Sequence, residues 1–319
     1  MSSESQKTCN VRYIQVDAEH QDQRLDNFLL AQLKGIPKSL VYRIIRSGEV
    51  RVNRGRIRVN YRVQSGDSIR LPPMRLVTSE TVSVNAGIHQ LQWLEQAILY
   101  EDSHLLVINK PSGMAVHGGS GTSYGIIEAL RVLRTDTLEL AHRLDRDTSG
   151  CLIVTKRRSA LRSLHQTMRD GSFTKHYLAL VSGKLDRFRV NVEVPLVKNI
   201  LKSGERIVQV DQSGRSARTV FQRQRAFDGV SLVEVLPYNG RTHQIRVHAA
   251  HIGLPIVGDD KYGNKAVNAE LRKTTGLKRL FLHAAKVQIP SLGDGPSFEV
   301  IAPLDSALES CLQRLASRK

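Results

Sequence analysis

The 319-residue chain carries 47 lysines and arginines against 30 acids, a net charge of +17, and 40% of its residues are hydrophobic. That is enough apolar material for a folded core under a surface that attracts polyanions, and the length suits a small domain joined to a larger one. No apolar run approaches the roughly 18 residues of a membrane span, and the first ten residues lack an apolar signal core, so a protein kept in the cytoplasm and off the membrane is expected. Cys9, Cys151 and Cys311 are odd in number and form no C-x-x-C pair, which argues against a disulfide framework and a cysteine metal site.

From Arg24, the positions Leu25, Phe28, Leu29 and Leu33 recur at helical spacing and stop at Gly35 and Pro37. A second short helix follows, with Ser39 as N-cap, Val41, Ile44 and Ile45 facing inward, and Gly48 where a left-handed residue is wanted. The period then changes to two. Val50 and Val52 alternate with Arg51 and Asn53, a turn falls near Gly55, and Ser65-Gly66-Asp67 leads into Ser68 to Pro72. Within a short stretch of this module Arg43, Arg46, Arg51, Arg54, Arg56, Arg58 and Arg62 are opposed only by Glu49. The planar fork of arginine suits phosphate and base edges, so these residues are candidate RNA contacts; a merely solvated basic face is the alternative.

Pro73 to Trp93 lack periodicity and read as a linker. The organisation expected is a tail over 1–20, a small module over 21–84, a linker over 85–96 and a larger domain over 97–319. In that domain Ile98 to Tyr100 and Leu105 to Ile108 predict a hairpin, and Cys151 to Thr155, Tyr177 to Val181, Thr219 to Arg223 and Leu232 to Leu236 predict strands. Helices are expected over Ser123 to Leu133, Ala160 to Met168 and Asp305 to Leu315. Hairpin strands beside strands followed by helices make an α+β domain with a mixed, mainly antiparallel sheet.

The most informative stretch is His142-Arg143-Leu144-Asp145-Arg146-Asp147-Thr148-Ser149-Gly150. It sets Asp145 between two guanidinium groups and turns the chain at Gly150. An ionised carboxylate can attack an electrophile, although Asp147 or Ser149 capping a helix in a salt-bridged turn is a competing reading. Three other stretches accompany it: Asn109-Lys110-Pro111-Ser112-Gly113 running to His117, Lys175 to Ala179, and Gly240 to His248. If Thr242 caps a helix ending at Gly253, then Ile245, His248, Ala249 and Ile252 form its inward stripe. Arg246 then projects to one side near the positive end of that helix.

Three tempting signals are set aside. Gly121-Thr122-Ser123-Tyr124-Gly125 matches a G-x-S-x-G elbow but lacks the apolar strand that should lead into it. Asp147-Thr148-Ser149-Gly150 has no second copy to make an aspartic-protease pair. His243, His248 and His251 scatter around a helix, so no metal is expected.

Taken in order, these stretches resemble the conserved motifs of the RluA-type pseudouridine synthases from about Ala97 to the end. Arg24 through Leu71 resembles the S-four-type RNA-binding domain. The resemblance implies a long bent central sheet and an isomerase that flips uridines of large-subunit ribosomal RNA into a cleft and converts them to pseudouridine. It implies Asp145 as nucleophile or charge stabiliser, Arg246 as its partner, and Tyr177 against the base. Leu282 becomes an apolar wall, and Arg143, His117 and Lys110 become substrate contacts. A cytoplasmic monomer that needs no cofactor is expected. A non-catalytic RNA-binding factor in ribosome assembly is the main alternative, but it has no reason to keep Asp145, Tyr177 and Arg246 together.

Overall fold

The structure, a computed structural model, describes residues 8–9, 11–33, 36–75, 91–118, 124–200, 206–291 and 296–317. It divides into two units, Met1–Ile88 and His89–Lys319.

The first unit contains β1 (Thr8–Cys9), β2 (Arg12–Gln15), α1 (Leu25–Gln32), α2 (Lys38–Arg46), β3 (Arg51–Val52), β4 (Gly55–Arg56), β5 (Ser68–Leu71) and β6 (Met74–Arg75). The sheet runs β2-β5-β3-β4, and β1 pairs with β6. Leu25, Phe28 and Leu29 of α1 and Val41, Ile44 and Ile45 of α2 are buried in one cluster with Val52, Ile69 and Leu71. Burying that apolar stripe is what holds two helices too short to be stable alone.

Two details differ from the sequence reading. Arg12–Gln15, inside the expected tail, pairs antiparallel with β5; its Tyr13 is 67% exposed, so an edge strand held by backbone bonds carries little apolar signal. The residue before α2 is Pro37 and not Ser39, which lies inside the helix. Gly48 does take the left-handed conformation, with φ 76°.

The second unit begins with α3 (Trp93–Gln96), which lies in the expected linker and is anchored by the buried Leu94. It continues through β7 (Ile98–Glu101), β8 (Leu105–Lys110), α4 (Ile126–Leu133), β9 (Glu139–Leu140), β10 (Ser149–Thr155), α5 (Arg158–Asp170) and β11 (Thr174–Ser182). Then come β12 (Arg189–Glu193), β13 (Leu196–Ile200), β14 (Arg206–Val210), β15 (Arg218–Phe227), β16 (Val230–Pro237) and α6 (Gln244–His251). The last elements are α7 (Lys265–Thr275), β17 (Leu282–Ile289), β18 (Phe298–Ile301) and α8 (Ser306–Ala316). The main sheet runs β12-β15-β16-β11-β17-β10-β8-β7, with β18 on β17 and β9 on β10. Its described pairings are antiparallel except β10 with β17, as the mixed, mainly antiparallel reading expects.

Every residue of β10 is buried. Its parallel contact with β17 pairs Gly150 with Ala284. Gly150 is therefore inside a strand rather than at a turn. Its φ is 105°, and a Cβ there would stand 2.3 Å from the Ala284 carbonyl oxygen, so only glycine lets the two backbones approach.

Candidate active site

Asp145 lies on the loop that joins β9 to β10, and that loop is tied down at both ends. On one side stands Lys110, fully buried at the end of β8. Its Nζ donates to the carbonyl oxygens of Pro111 (2.8 Å), Met114 (2.7 Å) and Arg146 (2.9 Å). Ser112 Oγ donates to the Asp147 carbonyl at 2.7 Å, and the Gly113 N–H donates to the Arg146 carbonyl at 2.9 Å. Burial draws the Lys110 ammonium down to about 7, against an opposing pull from Asp147 and Asp145.

On the other side Arg279, paired with Asp305, donates to Ser149 Oγ at 2.8 Å. Ser149 Oγ lies 2.8 Å from His283 Nδ1, and His283 Nε2 lies 3.0 Å from the Ala302 carbonyl. Because that carbonyl can only accept, Nε2 carries the proton and Nδ1 accepts from Ser149. Burial favours the neutral imidazole, in keeping with this arrangement.

Between these ties the Asp145 side chain, 18% exposed, faces a cleft of about 350 Å³. Arg143, Tyr177, His243, Arg246 and Leu282 also line it. The guanidinium nearest the carboxylate is not a sequence neighbour. Arg146 is exposed and turns its Nε to the Gly113 carbonyl at 3.0 Å, whereas Arg246 Nη1 lies 3.6 Å from Asp145 Oδ2. Arg146 follows Asp145 in a turn, with the Thr148 N–H donating to the Asp145 carbonyl at 3.2 Å, and flanking in sequence did not become pairing in space.

Arg246 has a stronger attachment that the sequence reading missed. Its Nε and Nη2 each lie 2.7 Å from the two carboxylate oxygens of Asp259, a bidentate pair. Burial works against the charge on Arg246, but Asp259 outweighs it and holds the guanidinium above its usual range. Burial likewise opposes the charge on Asp259, and Arg246 together with the backbone N–H groups of Tyr262 and Lys261 holds that carboxyl below its usual range. The Tyr262 ring stands under the same guanidinium, 5.1 Å from its carbon.

Helix α6 starts one residue later than a Thr242 cap would give, after His243 in the left-handed conformation with φ 52°. Nor is it striped. Gln244, Ile245, Arg246, Val247, His248 and Ala249 are all buried, so Arg246 sits inside the fold rather than beside an apolar face.

Tyr177 is on β11 at the point where its register with β17 shifts between His176 and Leu178. Such an irregularity re-aims a side chain, here one only 8% exposed that lines the cleft. Burial first, and the Asp145 charge second, push its phenol well above the usual range, so it keeps its O–H. Leu282, 3% exposed on β17, is an apolar wall of the cleft.

Two expected substrate contacts are not among the cleft's lining residues. Lys110 spends its three N–H bonds on carbonyls beneath the Asp145 loop, which makes it a fastener of that loop. His117 is exposed and its Nδ1 lies 3.1 Å from the Gly118 carbonyl. Ser123 of the set-aside elbow lies outside the described residues. His248, one of the three histidines weighed for a metal, is buried with Nδ1 2.9 Å from Thr219 Oγ1 and Nε2 3.2 Å from the Val194 carbonyl.

On the first unit Arg43 and Arg46 are exposed on α2, beside Ser39, Tyr42 and Ser47 around a shallow hollow. Arg54, Arg56 and Arg58 are exposed, and Arg51 is half-buried on β3. Asn53 (φ 48°) and Arg54 (φ 70°) form the left-handed two-residue turn that joins β3 to β4 and lifts Arg54 to its tip.

Residues 104–251 match a family described as RNA pseudouridylate synthase, and residues 23–69 match the S4 domain. A protein of Salmonella typhimurium named ribosomal large subunit pseudouridine synthase C is 50% identical over 316 residues, 98% of this chain and 99% of that one. The chain belongs to the RNA pseudouridylate synthase family. The protein of the same name from Escherichia coli K12 is 49% identical over the same lengths. Among solved structures, human RNA pseudouridylate synthase domain containing 4 superposes with a TM-score of 0.60 at 25% identity, covering 73% of this chain and 97% of that one. The human domain containing 1 protein gives 0.55 at 28% identity, covering 67% and 86%. Asp145, Tyr177 and Arg246 of this pseudouridine synthase fall inside the matched span, whereas Asp259 and Leu282 lie beyond it.

Proposed function

We propose that this pseudouridine synthase isomerises specific uridines of large-subunit ribosomal RNA, with Asp145 as the reacting carboxylate. The observation that carries the reading is that carboxylate, lining a cleft with Arg246 at 3.6 Å and with Tyr177 on the same lining. The names of the relatives support the choice of RNA. That substrate in turn implies a cytoplasmic enzyme.

The reaction breaks the bond from N1 of uracil to C1′ of the ribose, turns the base, joins C5 to C1′, and moves the C5 proton to solvent while N1 gains one. Atoms and electrons balance without an oxidant or a cofactor. An ionised Asp145 supplies negative charge where C1′ becomes electron-poor, either by bonding to the sugar or base or by stabilising the cation. Arg246 fixes the carboxylate, Tyr177 and Leu282 enclose the free uracil, and Arg143 lies at the cleft where a phosphate would pass. Taking the uridine out of its stack costs a few kcal/mol, which binding energy gathered by the arginines of the first unit offsets.

The test uses tritium at C5 of uridine in unmodified large-subunit ribosomal RNA. The parent protein is expected to release tritium and form pseudouridine. Asp145→Asn, similar in shape but without the charge, is expected to do neither while binding RNA as before. Turnover by Asp145→Asn within about tenfold of the parent would overturn the role given to Asp145.

A further inference from the structure

Two donors converge on one oxygen of Asp145. Arg246 Nη1 lies 3.6 Å and His243 Nε2 3.9 Å from Oδ2, both beyond hydrogen-bond length here, and the hydrogen bonds of an active site without substrate commonly close only when it binds. The second donor was not among the sequence candidates for catalysis, and its chemistry follows from hydrogen-bond accounting.

The Val208 N–H can only donate, so at 3.0 Å the Tyr262 hydroxyl oxygen must accept from it. His243 Nδ1 lies 2.8 Å from the same oxygen, within reach of the hydroxyl's own proton. Donation from the hydroxyl to Nδ1 leaves that nitrogen bare, and the single N–H of the neutral ring is then on Nε2, on the side of Asp145. Burial disfavours the charged ring, Asp145 and Asp259 favour it, and Arg246 and Lys261 disfavour it; the net direction is toward neutral. The imidazole is held edge-on to Tyr262, with centroids 5.5 Å apart. A left-handed backbone at a residue other than glycine, φ 52°, places the ring there.

We propose that His243 is a positioning residue that joins Arg246 in orienting the Asp145 carboxylate, its N–H closing to a hydrogen bond with Oδ2 when substrate fills the cleft. The inference rests on the synthase reading of the cleft. Arg246 supplies charge, and Asp259 keeps it in place. His243 supplies direction: an N–H whose position is set by Tyr262 and the Val208 backbone. Together they limit rotation of the carboxylate once the cleft is filled. Such orientation lowers the barrier without adding affinity for RNA.

The full-length protein carries the test. Single-turnover pseudouridine formation at saturating RNA, RNA affinity, and nitrogen-15 spectra of labelled histidine are measured on the parent and on His243→Ala, His243→Gln and Tyr262→Phe. The parent spectrum should show a protonated Nε2 and a bare Nδ1 for the resonance absent from the His243 variants. His243→Ala should slow the step by about 10- to 150-fold, the range of a hydrogen bond to a charged group, with RNA affinity within about twofold. His243→Gln can present an amide N–H near the position of Nε2 and should recover most of that loss. Tyr262→Phe should slow the step and mix the two tautomers. The proposal is overturned if His243→Ala is as fast as the parent, if the alanine and glutamine variants are equally slow, or if the proton is found on Nδ1. If His243→Ala does not fold, the glutamine and Tyr262→Phe rates and the parent spectrum still decide. A parent that makes no pseudouridine would instead remove the synthase reading, and the tautomer would still report on the hydrogen-bond arrangement.

Discussion

Arg246 divides its guanidinium unequally, giving two short bonds to Asp259 and one longer approach to Asp145. A lysine in its place offers one point charge and cannot satisfy both carboxylates. Arg246→Lys is therefore expected to lose at least about tenfold in single-turnover rate, and in combination with Asp145→Asn to add little to the loss from Asp145→Asn alone. Rates that simply multiply would show two independent residues. Asp259→Ala should cost stability as well, about 3–5 kcal/mol by urea unfolding, because it leaves Arg246 buried without its main partner. Two other histidines make the fold acid-sensitive. His248 (0% exposed) and His283 (1%) are both pushed by burial toward the neutral ring. The unfolded chain takes up protons below about pH 6.5 and the folded one only at lower pH, so this stability is present above that pH and lost as pH falls. Urea unfolding should show stability falling as pH drops below about 6.5, eased in variants that replace either ring. The stretch around Asp145 stands out in the sequence because it sets an acid between two guanidinium groups, and the structure puts that acid on the cleft. Asp259, the carboxylate that pairs with Arg246, does not stand out: in Gly258-Asp259-Asp260-Lys261-Tyr262-Gly263 an acid beside another acid reads as an ordinary polar loop. Only folding reveals that one of the two is buried.

Among the elements, the close contact of β10 and β17 makes the sharpest demand on sequence. Gly150→Ala meets both a left-handed backbone and the Ala284 carbonyl, and should destabilise the second unit by about 2–4 kcal/mol. Gly171, also left-handed (φ 82°) after α5 but with open space around it, is the comparison; Gly171→Ala should cost only about 1 kcal/mol. Equal losses in urea unfolding would mean that backbone strain alone matters. The hairpin of β7 and β8 and helices α5 and α8 were legible because their apolar periods are strong and their ends marked, as by the Asp305 side chain that caps α8. Helix α7 escaped notice although Asn264 caps it and Gly276 ends it, because only Leu271 and Thr275 are buried and the apolar stripe is faint. The start of α6 was misjudged because a left-handed histidine leaves no mark in a sequence.

For the whole molecule, each unit has its own buried cluster and its own sheet, which predicts separable roles. A chain beginning at His89 should keep a cooperative unfolding transition and lose most of its affinity for large-subunit RNA. Replacing Arg54, at the tip of its turn, should weaken binding to all RNA sequences and reduce the salt slope by about 0.7–0.9. Unchanged affinity and slope after removal of the first unit would leave its charge as a solvated face. The parallel contact at Gly150 and Ala284 also sets the order of assembly. Ser149 and His283, bonded across that junction, are 134 residues apart in sequence. A chain emerging from the ribosome can make the Asp145 loop and most of its antiparallel neighbours long before β17 exists to close the cleft. Contacts so distant in sequence carry a high loop-closure cost and fold slowly. The half-made sheet meanwhile offers unpaired edges of β10 and β11, the kind of surface on which nascent chains associate wrongly. The strand that completes the catalytic wall is thus also the one that ends this vulnerable interval.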